Sequence, residues 1–205
     1  MEIKLSKREQ KRQETLNKLL DAMNEIIEKY DYDTLTIRNI CSVSGVSYGS
    51  FYNLFETKEK FLTYYLTHDF ISYKEAYYQE NNLNAFNFIE QSIDIFVTCA
   101  KYNKSKGLKF ISGFYSPNNY DLSPLNMNDH YFCFTPLVEE ARHYLTQAKE
   151  QHLLKEDAPV EEIIKEYCYI FNGSTFNWCI SKAQMDIVQD IKTRLTNYIG
   201  SYLDK

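Results

Sequence analysis

No apolar run in the sequence approaches the ~18–20 residues that a membrane-spanning helix needs. The first residues, MEIKLSKREQKRQ, lack the apolar core of a secretory signal. A cytoplasmic protein with no membrane partner is therefore expected. Glycine and proline are few, six and four among 205 residues; at 44% hydrophobic and 25% charged, the composition is that of a soluble globular protein with ample length for a core. The five cysteines (Cys41, Cys99, Cys133, Cys168, Cys179) are scattered, form no CxxC and mostly lie in apolar stretches, which suits reduced, buried thiols. The four histidines show no HExxH or comparable spacing, so neither a metal nor a cofactor is expected. GxSxG and phosphate-cradling glycine loops are missing too, and no enzyme is expected. Sustained strict alternation is absent, and so is any repeat of ~20–50 residues.

What is present is helical periodicity. Leu16, Leu19, Leu20, Met23, Ile26, Ile27 and Tyr30 recur at steps of three and four behind Ser6-Lys7-Arg8-Glu9, which has the form of a capping box. Thr36, Ser47 and Thr57 are placed to cap helices over 37–43, over 48–54 and from Lys58 onward. Further helices are predicted over 85–102, 108–115 and from Thr135-Pro136 to about Leu153. Another runs from Pro159 through Trp178, and a last one over 186–203. Pro117, Asn118, Asn119, Asp121 and Pro124 mark a loop between two of them. The fold class is all-α with about nine helices.

The net charge of −5 is unevenly spread. Residues 1–60 are neutral with ten basic and ten acidic side chains, whereas 61–205 carry thirteen against eighteen. Within the first twelve residues Lys4, Lys7, Arg8, Lys11 and Arg12 outnumber Glu2 and Glu9. A basic arm on a neutral segment suits a small DNA-binding unit; the plain alternative is a solvated helix face.

The stretch SVSGVSYGSFYNLF, residues 42–55, mixes small residues with rings. Residues 37–54 have the size of a helix-turn-helix: Gly45 at the turn, Cys41 small enough for close helix contact, and Ile40, Val46 and Phe51 wedged between the helices. Phe51 and Phe55 face inward at a four-residue interval, leaving Tyr48, Gly49, Tyr52 and Asn53 to project outward. Small residues at Ser47, Gly49 and Ser50 would admit a polyanion to the helix N-terminus. A short surface helix whose tyrosines cover a neighbour fits the spacing equally well.

The residues from Thr36-x-Arg38-x-Ile40-Cys41 through Ser44-Gly45-Val46-Ser47-x-Gly49-Ser50-Phe51-Tyr52 to Phe55-x-x-Lys58-x-x-Phe61-Leu62 resemble the TetR/AcrR family of bacterial regulators. Cys41 and Ser44 stand where the family usually has alanine, and Leu54 where it has a phosphate-contacting His or Tyr. The resemblance implies a helix-turn-helix DNA-binding domain over 1–56 and a helical effector-binding and dimerisation domain over 57–205. It also implies a homodimer, joined through the two C-terminal helices, that binds double-stranded DNA at a palindromic operator. The expected role is a repressor released by an unidentified small effector, lipophilic or aromatic; the alternative is a DNA-bound regulator that meets another protein and senses no small molecule.

Carried onto this chain, the resemblance places Tyr48, Gly49 and Ser50 at base edges and Arg38 at a guanine, although a surface ion pair would also explain that arginine. Thr36, Ser47, Tyr52 and Lys58 would hold phosphates, with Asn53 a partial substitute at the Leu54 position. Phe96, Phe110, Phe114, Tyr115, Tyr167 and Phe171 are expected to line the effector pocket, against the alternative that they are plain core. Tyr167, Phe171, Trp178, Ile191, Leu195, Tyr198 and Tyr202 exceed what one core needs and are expected to be shared between that core and the dimer face. Gly173 and Ser174 would permit close approach.

Overall fold

The computed structural model describes residues 6–30, 32, 34–81, 87–115 and 135–204, apart from the side chains of Phe114 and Thr135. The predicted loop around Pro117 and Pro124, and Cys133, lie outside the described residues. Nine helices are formed among those described: α1 (Lys7–Lys29), α2 (Ile37–Ser44), α3 (Tyr48–Tyr52), α4 (Lys58–Asn81), α5 (Phe88–Lys106), α6 (Leu108–Phe114), α7 (Thr135–Glu150), α8 (Val160–Ile180) and α9 (Ile187–Ile199). The β-type pairing described is a single isolated bridge, Leu154 with Leu203, flanked by Lys155 N–H donating to the Tyr202 carbonyl at 2.9 Å.

The helix starts follow side-chain chemistry. Ser6 and Glu9 form the expected capping box, with the Ser6 N–H donating to Glu9 Oε2 at 2.8 Å. Thr36 caps α2 in the same reciprocal way, but its partner is Asn39. Asn87 and Glu90 repeat the device on α5, which begins at Phe88, three residues later than the predicted start at Ala85. Asp186 accepts from Val188 and Gln189 at the head of α9.

Two compact units divide after Leu66, ten residues beyond the expected boundary. In the first unit (Met1–Leu66), Leu19, Met23 and Ile26 of α1 are buried along with Tyr32, Leu35, Ile40, Val46 and Phe51. Phe61, Leu62, Tyr65 and Leu66 of α4 are buried too, and the Tyr65 hydroxyl donates to Asn24 Oδ1 at 3.1 Å. These four side chains complete the first core, which is why the division falls inside α4 rather than at its start.

In the second unit (Thr67–Lys205), α5 is the central helix, packed by α7 and α9. From Ser92 to Asn103 almost every α5 residue except Asp94 and Lys101 is buried, the pattern of a helix surrounded by others rather than a surface amphipathic one. Ser174 of α8 donates to Asp190 of α9 at 2.6 Å, and Arg194 also donates to that carboxylate at 2.9 Å. Burial raises the Asp190 carboxyl, but these two partners outweigh it and hold the group below its ordinary value.

Candidate DNA-binding site

The reading head is built by α2, the turn at Gly45 and α3. Gly45 ends α2 in the left-handed region at φ 66°, where any Cβ meets its own backbone. Ser44 reinforces the bend by donating to the Ile40 carbonyl at 2.7 Å and accepting from the Val46 N–H at 3.3 Å. Ile40, Cys41, Val46 and Phe51 fill the angle between the two helices, as their spacing predicts. Burial pushes the Cys41 thiol up, so it behaves as a small apolar filler.

Phe51 and Phe55 anchor α3 through rings. Phe51 lies edge-on to Phe61 with centroids 5.5 Å apart, and Phe55 meets Phe61 at 5.1 Å and Tyr64 at 5.5 Å. With that face fixed, Tyr48 and Tyr52 are left 50% and 53% exposed, and Gly49 and Asn53 are exposed beside them. Arg38, on the exposed face of α2, makes no ion pair with any described residue.

Three details depart from what the spacing suggests. α3 ends at Tyr52, not Leu54, so a five-residue helix supplies little dipole and Asn53 and Leu54 lie in the following turn. The Ser47 hydroxyl accepts from the Ser50 N–H at 3.2 Å and lies 2.9 Å from the Ser50 hydroxyl; Thr36 is likewise joined to Asn39. Lys58 turns inward: its Nζ donates to the carbonyls of Leu35 at 3.1 Å and Tyr32 at 3.5 Å and stands 4.5 Å from the Tyr32 ring centre. Sequence spacing carries no sign of a contact between residues 26 positions apart.

In the second unit, Phe96, Phe110, Tyr167 and Phe171 are all buried. Phe96 is edge-on to Tyr167 at 5.5 Å and to Phe171 at 5.8 Å, so three of the expected pocket residues are packed on one another. The Tyr167 hydroxyl is fully buried and, among the described residues, has the Ser92 hydroxyl near it but no well-formed hydrogen bond. Burial pushes this phenol up, with Ser92 opposing. Tyr115 is half-buried at the end of α6, and the Phe114 side chain lies outside the described residues. A cavity of about 560 Å³ lies elsewhere in this unit: α5 contributes Ile89, Ile93, Asp94 and Val97 to it, and α9 contributes Lys192 and Ile199. None of the six expected pocket residues lines it. On α8, Tyr167, Phe171 and Trp178 close the core of this unit, as do Ile191 and Leu195 of α9. The exposed apolar stripe of α8 is instead Tyr169, Phe176 and Ile180, with Gly173 between them.

A helix-turn-helix whose residues Ile40, Cys41, Val46 and Phe51 are buried and whose exposed side carries a cation and two tyrosines has the build of a DNA-reading head. The family profile described as bacterial regulatory proteins, tetR family, matches residues 19–65, the segment that carries the helix-turn-helix. Solved structures agree in fold. Thermus thermophilus FadR, a TetR-family transcriptional repressor in complex with lauroyl-CoA, is 16% identical, with TM-score 0.70 over 93% of this chain and 96% of that one. A TetR-family transcriptional regulator from Rhodococcus sp. is 14% identical, with TM-score 0.61 over 93% and 100%. One from Syntrophomonas wolfei is 23% identical, with TM-score 0.56 over 94% of both chains. No curated protein matches by sequence. Among the described residues no helix is long and apolar enough to cross a membrane.

Proposed function

We propose that this protein is a repressor that binds a palindromic operator as a homodimer and leaves it when a small lipophilic effector binds the second unit. The outward face of the helix-turn-helix carries the proposal: an exposed Arg38 that makes no ion pair with any described residue, together with exposed Tyr48, Gly49 and Tyr52. Arg38 pairs with guanine O6 and N7, Tyr48 packs on a thymine methyl, and Gly49 and Ser50 let base edges approach. Thr36, Ser47, Tyr52 and Asn53 lie along the phosphates and set the register. Lys58, grouped with them on sequence grounds, acts from behind by holding the Tyr32–Leu35 segment that leads into Thr36.

Dimerisation uses α8 and α9. Tyr169, Gly173, Phe176 and Ile180 follow one another at steps of four, three and four, a stripe suited to a partner helix, with the glycine permitting close approach. The effector reaches the ring cluster of Phe96, Phe110, Tyr167 and Phe171, with Phe114 and Tyr115 at the end of α6. The Tyr167 hydroxyl, which makes no well-formed hydrogen bond with a described residue, then gains one to the effector. The acyl ligand in the Thermus thermophilus structure is of the lipophilic kind proposed.

The test is selection of bound fragments from genomic DNA, followed by release with a panel of metabolites and drugs. The expected product is a palindrome whose half-sites are about one helical turn, ~34–36 Å, or a multiple apart. Failure to enrich any palindrome at moderate salt would sink the DNA reading. An enriched palindrome that no small molecule releases would instead indicate a DNA-bound regulator that responds to a protein.

A further inference from the structure

A groove of about 740 Å³ runs between the first turns of α1 and the end of α3. One wall is Arg8, Lys11, Arg12 and Thr15, which fall at i, i+3, i+4 and i+7 and so share one face of α1. The other wall is Ser50, Asn53 and Leu54. We propose that this groove seats the phosphodiester backbone of operator DNA, and that Arg8, Lys11 and Arg12 supply the phosphate contact that Leu54 cannot make. The proposal rests on the DNA-binding reading above and extends it to a surface outside the helix-turn-helix.

The charge state of the groove points to an anion. Arg8, Lys11 and Arg12 are exposed and make no ion pair with any described residue. Two other cations of the same unit are paired: Lys29 lies 2.5 Å from Glu25 and Lys60 lies 2.6 Å from Glu56. The acid in the groove, Glu9, accepts from the Ser6 N–H in the capping box and makes no ion pair with a described cation. Three cations against this one carboxylate leave the groove positive, at the N-terminal end of a 23-residue helix whose dipole adds in the same sense.

The lining also selects the kind of anion. Leu54 is its one apolar side chain, so a lipophilic ligand has little to bury. Two guanidinium groups one turn apart match a run of phosphates, each fork donating to a pair of oxygens. Asn53, whose side chain forms no hydrogen bond among the described residues, offers an amide donor from the opposite wall. Ser50 belongs both to this groove and to the base-facing surface, which makes the two a continuous track for one strand.

The experiment compares the parent with an Arg8→Gln, Arg12→Gln double variant and with Lys18→Ala, an exposed α1 cation outside the groove. Binding to an enriched genomic fragment and to its scrambled version is measured across a salt series. The double variant is expected to lose about 0.9 from the slope of log K against log salt for each phosphate contact removed, near two per half-site, and to weaken both DNAs by the same factor. Lys18→Ala should leave the slope in place. Adding Leu54→His to the double variant should recover part of the lost slope. A double variant with the parent's slope and melting temperature overturns the groove while leaving the helix-turn-helix reading standing. Loss for one sequence only would mean that the arginines read bases rather than phosphates, which also overturns it. If the parent enriches no fragment at all, the DNA reading fails and the groove falls with it.

Discussion

The Lys58 ammonium stands 4.5 Å from the centre of the Tyr32 ring while donating to the Leu35 carbonyl at 3.1 Å. A residue that the family resemblance assigns to phosphates is thus tied to the segment leading into α2. Its side chain is only 19% exposed, so the hydrogen bonds and the ring contact are partly shielded from water. Lys58→Ala should lower the stability of the DNA-free protein by about 1–3 kcal/mol, a sum of one charge-assisted bond and one cation–ring contact. Urea unfolding without DNA measures this. Unchanged stability with a salt slope flattened by about one unit would return Lys58 to the phosphates.

Arg38 gives the opposite expectation. It touches no described carboxylate, so Arg38→Ala should leave the unfolding midpoint nearly where it was. Binding to the selected operator should weaken by about 1–3 kcal/mol, with base preference relaxed at one position of each half-site. A randomised-site selection with the variant reads this directly. A variant that selects the parent's sequence would remove Arg38 from base recognition.

How much of this was legible in the sequence varies with the range of the interaction. The caps at Ser6, Thr36 and Ser47 and the left-handed turn at Gly45 are local, settled within about three residues, and the sequence spells them out. α8 is harder because it has two apolar faces. Tyr167, Phe171 and Trp178 form one and Tyr169, Phe176 and Ile180 the other, and periodicity cannot say which one meets α5 and α9. The ring cluster of Phe96, Tyr167 and Phe171 shows the same limit, since aromatic spacing suits a ligand wall and a packed core alike. Lys58 and the α1 groove depend on partners dozens of residues away, where spacing has nothing to say.

The exposed α8 stripe makes the dimer testable without DNA. Phe176 is 44% exposed and follows Gly173 by three residues, so the substitution Phe176→Glu places a charge on the proposed contact without emptying the core. Sedimentation should show the parent as a dimer and the variant shifted to monomer, with a helical circular dichroism spectrum unchanged. Operator binding should weaken sharply because two half-sites are no longer held together. A variant that stays dimeric would move the interface away from this face.

Asp94 supplies a pH signature in the second unit. Burial raises its carboxyl above the ordinary value near 3.8, and the Thr98 hydroxyl at 3.1 Å, Lys101 and Lys192 only partly oppose that. A carboxyl with a raised folded pKa binds its proton more readily in the native state. The associated stability is complete below about pH 3.8 and is lost as pH rises through the higher folded value. At neutral pH the ionised group therefore costs stability. Asp94→Asn keeps an oxygen that can accept from Thr98 and removes the charge, so it should be more stable than the parent at pH 7. The difference should shrink as pH falls toward 4, because the parent's own carboxyl is then becoming neutral. Urea midpoints for both proteins at pH 7, 5 and 4 measure it. A variant no more stable at pH 7, or a gap that does not change with pH, would mean that Lys101 and Lys192 compensate the buried carboxylate in full.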